Sequence, residues 1–325
     1  MSSKNHNLSK SVMIDRIPAA CADEVAALEL FESQRWGDTP CCVHCGDTDV
    51  YTIKDRATGE RRTDGRWRCR GCGKQYTVRV GQIMEDSPIP LHKWAHAFWA
   101  SASAKNGVSA LEMSRKLQIS YKSALFMMTR IRWAMSGQPT DPKLDGTVEA
   151  DTTFVGGKPR HSRRGRMGPN PLKPKTPVLA VLERGGAVRT RVLANVTVHN
   201  VKAVMEEVVD AANTHLVTDD RGFRKIGRTM PFISHKAVKH STGEYVNRRN
   251  PEIHTNTVEG FFSRLKRILH GTHHAVSKEH LDRYAAHAAY LYNQRGLNDG
   301  ERVSHLIKSA DGKRLEYRDA VSRAS

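Results

Sequence analysis

No run of about 18 apolar residues occurs in the 325-residue chain, so no membrane-spanning helix is expected. The opening M-S-S-K-N-H-N has no apolar signal core, so export is not expected either. Long internal repeats and low-complexity tracts are missing too, which leaves ordinary globular domains, and the length suggests two or more. Acids are scarce beside bases: 34 Asp and Glu against 52 Lys and Arg give a formal net charge of +18 and a pI near 9.8. That excess says little about fold, but it makes the surface attractive to polyanions. Nucleic acid is the polyanion expected, ahead of acidic membrane lipid.

Six cysteines are present, Cys21, Cys41, Cys42, Cys45, Cys69 and Cys72. A cytosolic chain is not expected to join them as disulfides. Cys42/Cys45 and Cys69/Cys72 form two C-x-x-C pairs, a spacing that suits tetrahedral thiolate ligation of one structural zinc ion. Turn signals at Thr58-Gly59 and Asp64-Gly65 allow a hairpin between the pairs, the layout of a zinc ribbon over residues 37–80. Redox pairs or unrelated buried thiols are the alternative. Cys41 adjoins a ligand and could replace Cys42 by a register slip, while Cys21 is expected as a buried thiol. Arg66, Arg68, Arg70, Lys74 and Arg79 make the second half of the ribbon basic, and Trp67 and Tyr76 are expected in its small core.

Ahead of the ribbon, residues 1–15 are polar and expected to be disordered. A short helix between Pro18 and Trp36 is expected to carry Val25, Leu28 and Phe31 inward, closing an N-terminal region of residues 1–36. Residues 88–137 read as three helices, with a break at Asn106-Gly107 and a tight turn at Gln118-Ile119-Ser120. The third would hold Leu125, Met128 and Ile131 inward and offer Lys122, Arg130 and Arg132 outward. Helix, short turn and basic helix outline a helix-turn-helix that contacts DNA, with a plain three-helix bundle as the alternative.

After a linker at Gln138–Pro142 the pattern changes to strands. Residues 147–155 alternate, with Glu149, Asp151, Thr153 and Val155 on one face. Residues 177–182 form a continuous apolar run, and Gly185-Gly186 turns the chain into a third strand over 187–196. A helix is expected over 199–214, then a fourth strand over 215–218 with Asp219 at its end. Between the first two strands, residues 156–175 carry seven Lys or Arg and no acid. This stretch reads as a mobile basic arm on the DNA backbone, through Lys158, Arg160, Arg163, Arg164 and Arg166, or else as a solvated loop.

Val258, Phe261, Phe262, Leu265, Ile268 and Leu269 recur at helical spacing and predict an amphipathic helix. Thr255 or Asn256 is suited to cap its start, and Gly271 to end it. Glu259 and Lys266 are seven residues apart and so share a face. Another apolar stripe, with Leu281, Tyr284, Ala285, Ala288 and Leu291, ends near Arg295, and residues 296–325 read as a polar, peripheral tail. This order of elements would bring Asp151, Asp219 and Glu259 together. Three carboxylates in one place repel one another unless a cation joins them. Oxygen donors favour magnesium or manganese over zinc. Two such ions suit in-line displacement at phosphorus, with Lys266 holding a phosphate beside them.

The segments V-E-A-D-T-T-F-V-G-G-K (148–158), V-T-D (217–219) and H-T-N-T-V-E-G-F-F-S-R-L-K-R (254–267) resemble bacterial insertion-sequence transposases. They are similar to the fifteen-ninety-five, ISXO-two-like, family, as are R-W-G-D-T-P-C-C-V-H-C-G and W-R-C-R-G-C-G-K-Q-Y in the ribbon. The resemblance implies an α/β fold: an RNase H-like catalytic domain with a mixed sheet over 145–295, preceded by the ribbon and the helical region. It further implies cleavage at transposon ends and strand transfer into target DNA, with Asp151, Asp219 and Glu259 as ligands of two magnesium or manganese ions and Lys266 as the basic residue that follows. The partners implied are terminal inverted repeats, target DNA and at least a second copy of the chain, in the bacterial cytoplasm at the nucleoid. Asp220 beside Asp219, and Asn256 before Glu259, remain alternative ligands. His254, His270, His273 and His274 are expected as DNA-contact or structural residues. A DNA-binding regulator, an inactive domesticated transposase and a simple nuclease of the same fold are the competing functions.

Overall fold

The computed structural model describes residues 12–137, 141–156, 175–219, 223, 225–238, 246–247 and 250–316. The chain divides into two units, Met1–Met135 with Gly296–Arg323, and Ser136–Arg295 with Ala324–Ser325. Residues 157–174 of the basic arm, most of the Gln138–Pro142 linker, Asp220 and residues 1–11 lie outside the described residues. Among the described residues no helix is long and apolar enough to cross a membrane.

The first unit opens with two helices where one was expected, α1 (Val12–Ala22) and α2 (Glu24–Trp36). Asp23 separates them: its backbone is extended and its carboxylate accepts from Ala26 N at 2.8 Å, an N-cap that starts a new helix. Helix α1 takes in Val12–Asp15, against the disorder expected from their polar setting, and buries Met13 and Ile17; Val25 of α2 faces solvent rather than the core. The ribbon follows as three short antiparallel strands, β1 (Val50–Thr52), β2 (Trp67–Cys69) and β3 (Gln75–Tyr76). Trp36, Val43, Val50, Trp67 and Val80 pack around buried Cys42, Cys69 and Tyr76.

Beyond the ribbon run α3 (Leu91–Ser103), α4 (Ala110–Leu117) and α5 (Tyr121–Met135), with a left-handed Gln118 in the tight turn between the last two. The chain between ribbon and α3 is irregular, and its carbonyls need donors. Three arginines supply them. Arg35 donates to Val78 O and Val80 O, Arg79 to Ser87 O and Ile89 O, and Arg130 to Ile83 O and Glu85 O. Burial pushes all three guanidinium groups below their ordinary pKa.

The expected polar tail is corrected as well. Residues Asp299–Ser309 form a helix, which an Asn298/Glu301 capping box starts and whose Val303, Leu306 and Ile307 are buried. Those three sit at i, i+3 and i+4 in an otherwise polar stretch, a stripe too narrow to stand out in the sequence. The helix belongs to the first unit, where Ser304 bonds the Gln34 side chain and Lys313 reaches Ala134 O at 2.9 Å.

The second unit is a five-stranded mixed sheet of β4 (Leu144–Val155), β5 (Thr176–Glu183), β6 (Val188–Val192), β7 (Val209–Asp219) and β8 (Ser234–Val238). Its order is β6-β5-β4-β7-β8, with β4, β5 and β6 antiparallel and with β7 and β8 running parallel to β4. These are the order and directions of an RNase H-like sheet. The crossover from β6 to β7 is α6 (Val198–Val208), which ends six residues before the helix expected over 199–214. The chain turns extended at Val209, and a shift of register opposite Leu144 and Gly146 takes up the extra residues, with the Thr214 hydroxyl donating to Asp210 O at 2.7 Å.

One face of the sheet, with Val148, Ala150, Leu179, Val181 and Leu216, packs on α6 and on Phe223, Ile226 and Met230, around the short helix α7 (Ile226–Thr229). The other face meets α8 (Asn256–Arg267) and α9 (Leu281–Asn293). Helix α8 does not stop at Gly271 but runs into a π-helical turn, Ile268–His273, capped by His274 at φ 58°. Edge strand β6 is fastened by α9: Asn293 bonds both Val188 N and Val188 O, and Asp282 accepts from Val192 N.

Candidate functional site

Register decides which acids of the sheet can meet. Ala150 of β4 pairs with Thr218 of β7 in parallel, and both side chains are buried on the α6 face. The next residues on each strand, Asp151 and Asp219, therefore stand side by side on the opposite face. Strand spacing is about 4.8 Å in such a pair. Asp219 is the last residue of β7, and β4 lies where the sheet changes from antiparallel to parallel pairing. Across the antiparallel pair Asp151 faces Ala180, whose methyl group leaves the carboxylate room. Asp151 and Asp219 are both half-buried. Thr152 N donates to Asp151 Oδ1 at 2.7 Å.

Glu259 lies in the first turn of α8, the helix laid over that face, and is half-buried. The Thr255 hydroxyl donates to Glu259 Oε1 at 3.2 Å. Lys266, two turns further on, is exposed, as is Asn256 at the first helical position.

The residue sequence reasoning missed is Glu149. Its carboxylate is fully buried on β4, two residues before Asp151 and on the same face. It accepts from Thr257 N at 3.0 Å, Val258 N at 2.9 Å, the Thr257 hydroxyl at 2.9 Å and Arg184 Nε at 2.6 Å. Arg184 also donates to Glu252 O and His254 O. The signal in the sequence was an acid at an inward position of a buried strand, which requires a partner.

In the ribbon, the Cys42 and Cys72 sulfurs are 3.7 Å apart, as are those of Cys45 and Cys69, and all four lie within 4.8 Å of one another. Tetrahedral ligation with Zn–S bonds near 2.3 Å places sulfurs about 3.8 Å apart, so the four thiols fit one zinc ion. Cys42, not Cys41, enters the cluster. Burial would raise the Cys42 thiol, but N–H groups of His44 and Cys45 and the neighbouring thiols outweigh it and bring it down to about 7. Cys45 has the Asp47 N–H to lower it, yet burial and the other three sulfurs push it up to about 12. Four thiolates this close need a cation's charge to coexist. Among the described residues no other His, Cys, Asp or Glu group is drawn this tightly, Asp151, Asp219 and Glu259 included.

Two family models match the chain: the ISXO2-like transposase domain over residues 143–293 and the transposase zinc-ribbon domain over 22–75. The chain belongs to the ISXO2-like transposase family. No curated protein matches it. In this transposase the matched domains hold the carboxylate face of the sheet and the four-cysteine cluster respectively.

Other residues singled out from sequence fall elsewhere. Arg130 was expected to face DNA but is 6 % exposed and bonded to the Ile83 and Glu85 carbonyls, and Arg132 is buried as well. Leu125, expected inward, is exposed with Tyr121 and Trp133, so the outer face of α5 is less basic than its sequence suggests. Lys122 is exposed near the start of that helix. Lys158, Arg160, Arg163, Arg164 and Arg166 lie outside the described residues. His254 Nδ1 accepts from Asn256 N, and the His273 ring sits edge-on to Tyr284 at 4.7 Å, both structural contacts. Burial pushes the Cys21 thiol up to about 11, which makes it a poor nucleophile.

Proposed function

We propose that this transposase cuts DNA at the ends of its own insertion sequence and joins the cut strand to target DNA. Asp151, Asp219 and Glu259 hold the metal ions, with Lys266 beside them. The observation that carries this reading is the parallel pairing of β4 with β7, which sets two aspartates side by side beneath the helix that bears Glu259. All the donors are carboxylate oxygens, which suits magnesium or manganese. Bound there, two such ions would activate the attacking oxygen and stabilise the leaving oxygen of an in-line displacement at phosphorus. The chain's own part is to fix the carboxylates on rigid elements and to hold the DNA backbone, Lys266 contributing a contact that positions without reading sequence.

With Arg130 committed to the interior, DNA contact falls to other cations. On the ribbon, Tyr51, Arg68 and Gln75 lie opposite one another across β1, β2 and β3 and are all exposed, with Arg70 over the Tyr51 ring at 4.9 Å. Lys74 is exposed next to them in sequence. Such a face offers phosphate contacts and an aromatic surface together. Lys122 and the arm cations Lys158, Arg160, Arg163, Arg164 and Arg166 would add to it.

The test is a strand-transfer assay on duplexes ending in the inverted repeats that bracket the coding region. Magnesium-dependent cutting and joining is expected, with Asp151→Ala abolishing both while DNA binding persists in gel shifts. Binding without turnover by the native chain would point to a regulator instead, and cutting without joining to a nuclease.

A further inference from the structure

Helix α8 carries Glu259, yet its own N-cap residue does not cap it. Thr255 makes no side-chain capping bond, because its hydroxyl is turned to Glu259. The N–H groups at the second and third helical positions, Thr257 and Val258, are those an N-cap side chain ordinarily receives. Here both are taken by Glu149, 108 and 109 residues earlier in the chain. A carboxylate at a helix N-terminus also meets the positive end of the helix dipole.

We propose that Glu149 is a positioning residue for the metal site: it locks the start of α8 to β4 and so sets Glu259 against Asp151. This inference rests on the carboxylate assignment made above. The reason lies in the short covalent path on either side of the lock. Glu149 and Asp151 are two residues apart on one strand and share a face, and Glu259 directly follows Val258 in the same helical turn. No loop intervenes between the anchor and either ligand. Arg184 holds the anchor in turn, bonding Glu149 Oε1 while it clasps the Glu252 and His254 carbonyls that lead into the helix. Loss of the carboxylate's charge weakens four donors' hold at once and frees α8 to shift along the sheet. A shift of one ångström is enough to spoil a shared metal site.

The experiment measures Mn2+ binding to the full chain by the electron paramagnetic resonance signal of the free ion, alongside thermal unfolding. Asp151→Asn serves as the reference for loss of a ligand. Glu149→Gln, which keeps shape and removes charge, is expected to weaken Mn2+ binding by about tenfold, the usual effect of changing a residue that supports a metal ligand. Glu24→Gln, which alters a comparable helix cap in the other unit, is expected to lower stability and leave Mn2+ affinity unchanged. Should Glu149→Gln fail to fold, Thr257→Ala removes one hydroxyl bond to Glu149 and spares both backbone bonds; a smaller fall in Mn2+ affinity is then expected. Native affinity in whichever of these two variants folds, with Asp151→Asn weakened, overturns the positioning role and leaves the carboxylate site standing. Unaltered affinity in Asp151→Asn overturns the site itself, and the positioning role with it.

Discussion

Two helices, one in each unit, begin in the same way. Helix α3 starts after Pro90 and α8 after Thr255, and neither residue supplies a side-chain cap. Each helix takes its cap from a glutamate far away in the chain, Glu24 for Leu91 and His92, Glu149 for Thr257 and Val258. An arginine and a histidine attend both, Arg79 and His92 in one case and Arg184 and His254 in the other. The difference is water: the Glu24 side chain is 38 % exposed and that of Glu149 0 %. An exposed cap can be replaced by solvent when it is lost. A buried one leaves its donors with nothing, so the same device becomes far harder to dispense with.

The sharpest way to separate the units is to remove zinc. The ribbon's core is only Cys42, Cys69 and Tyr76 with a few flanking side chains, whereas the sheet buries apolar residues on both faces. Structural zinc contributes about 10–16 kcal/mol in small domains that fold around it. Chelation is therefore expected to abolish hydrogen-exchange protection across β1–β3 and to leave that of β4, β5 and β7 intact. Protection of the ribbon that survives complete zinc loss would contradict a metal-dependent fold.

Next in size is the loss of each cap. Glu149→Ala breaks a buried ion pair and is expected to destabilise the sheet unit by about 3–5 kcal/mol. Glu24→Ala removes a cap in partial contact with water, for which about 1 kcal/mol is expected. Exchange of strand amides in β4 and helix amides in α3 reads the two units separately, which a single melting curve of a two-unit chain does not. Equal losses would erase the contrast drawn between the two glutamates.

Much of this was legible before any coordinates. The C-x-x-C pairs and the period-two alternation around Asp151 are local signals, and local signals survive in a sequence. Strand β8 was missed because S-H-K-A-V is a polar edge strand with no apolar alternation to announce it. Arg130 was misread because a cation at a helix surface and one turned onto buried carbonyls look alike as letters. Glu149 was passed over because its partners are more than thirty residues away in every case, and a capping bond over that range leaves no trace in spacing. The three carboxylates stood out by residue type, but only strand register puts Asp151 and Asp219 on a common face.

The smallest effect expected separates charge from shape at Glu24. Burial alone would raise this carboxyl, but the His92 and Leu91 N–H groups, the His92 side chain and Arg79 together hold it below its ordinary value of 4.5. A folded-state value depressed in this way gives stability that is fully present above the unfolded value and is lost as pH falls through the folded one. The window therefore lies at and below pH 4.5. Acid also weakens thiolate ligation of zinc, so the absolute melting temperature of the native chain is a poor guide there. The difference between native chain and Glu24→Gln cancels that shared loss. The native chain is expected to be the more stable at neutral pH, and its margin over the variant is expected to shrink as the medium is acidified below pH 4.5. A margin that stays constant through that window would mean that the α3 cap works through shape alone, and that its likeness to the Glu149 cap ends at geometry.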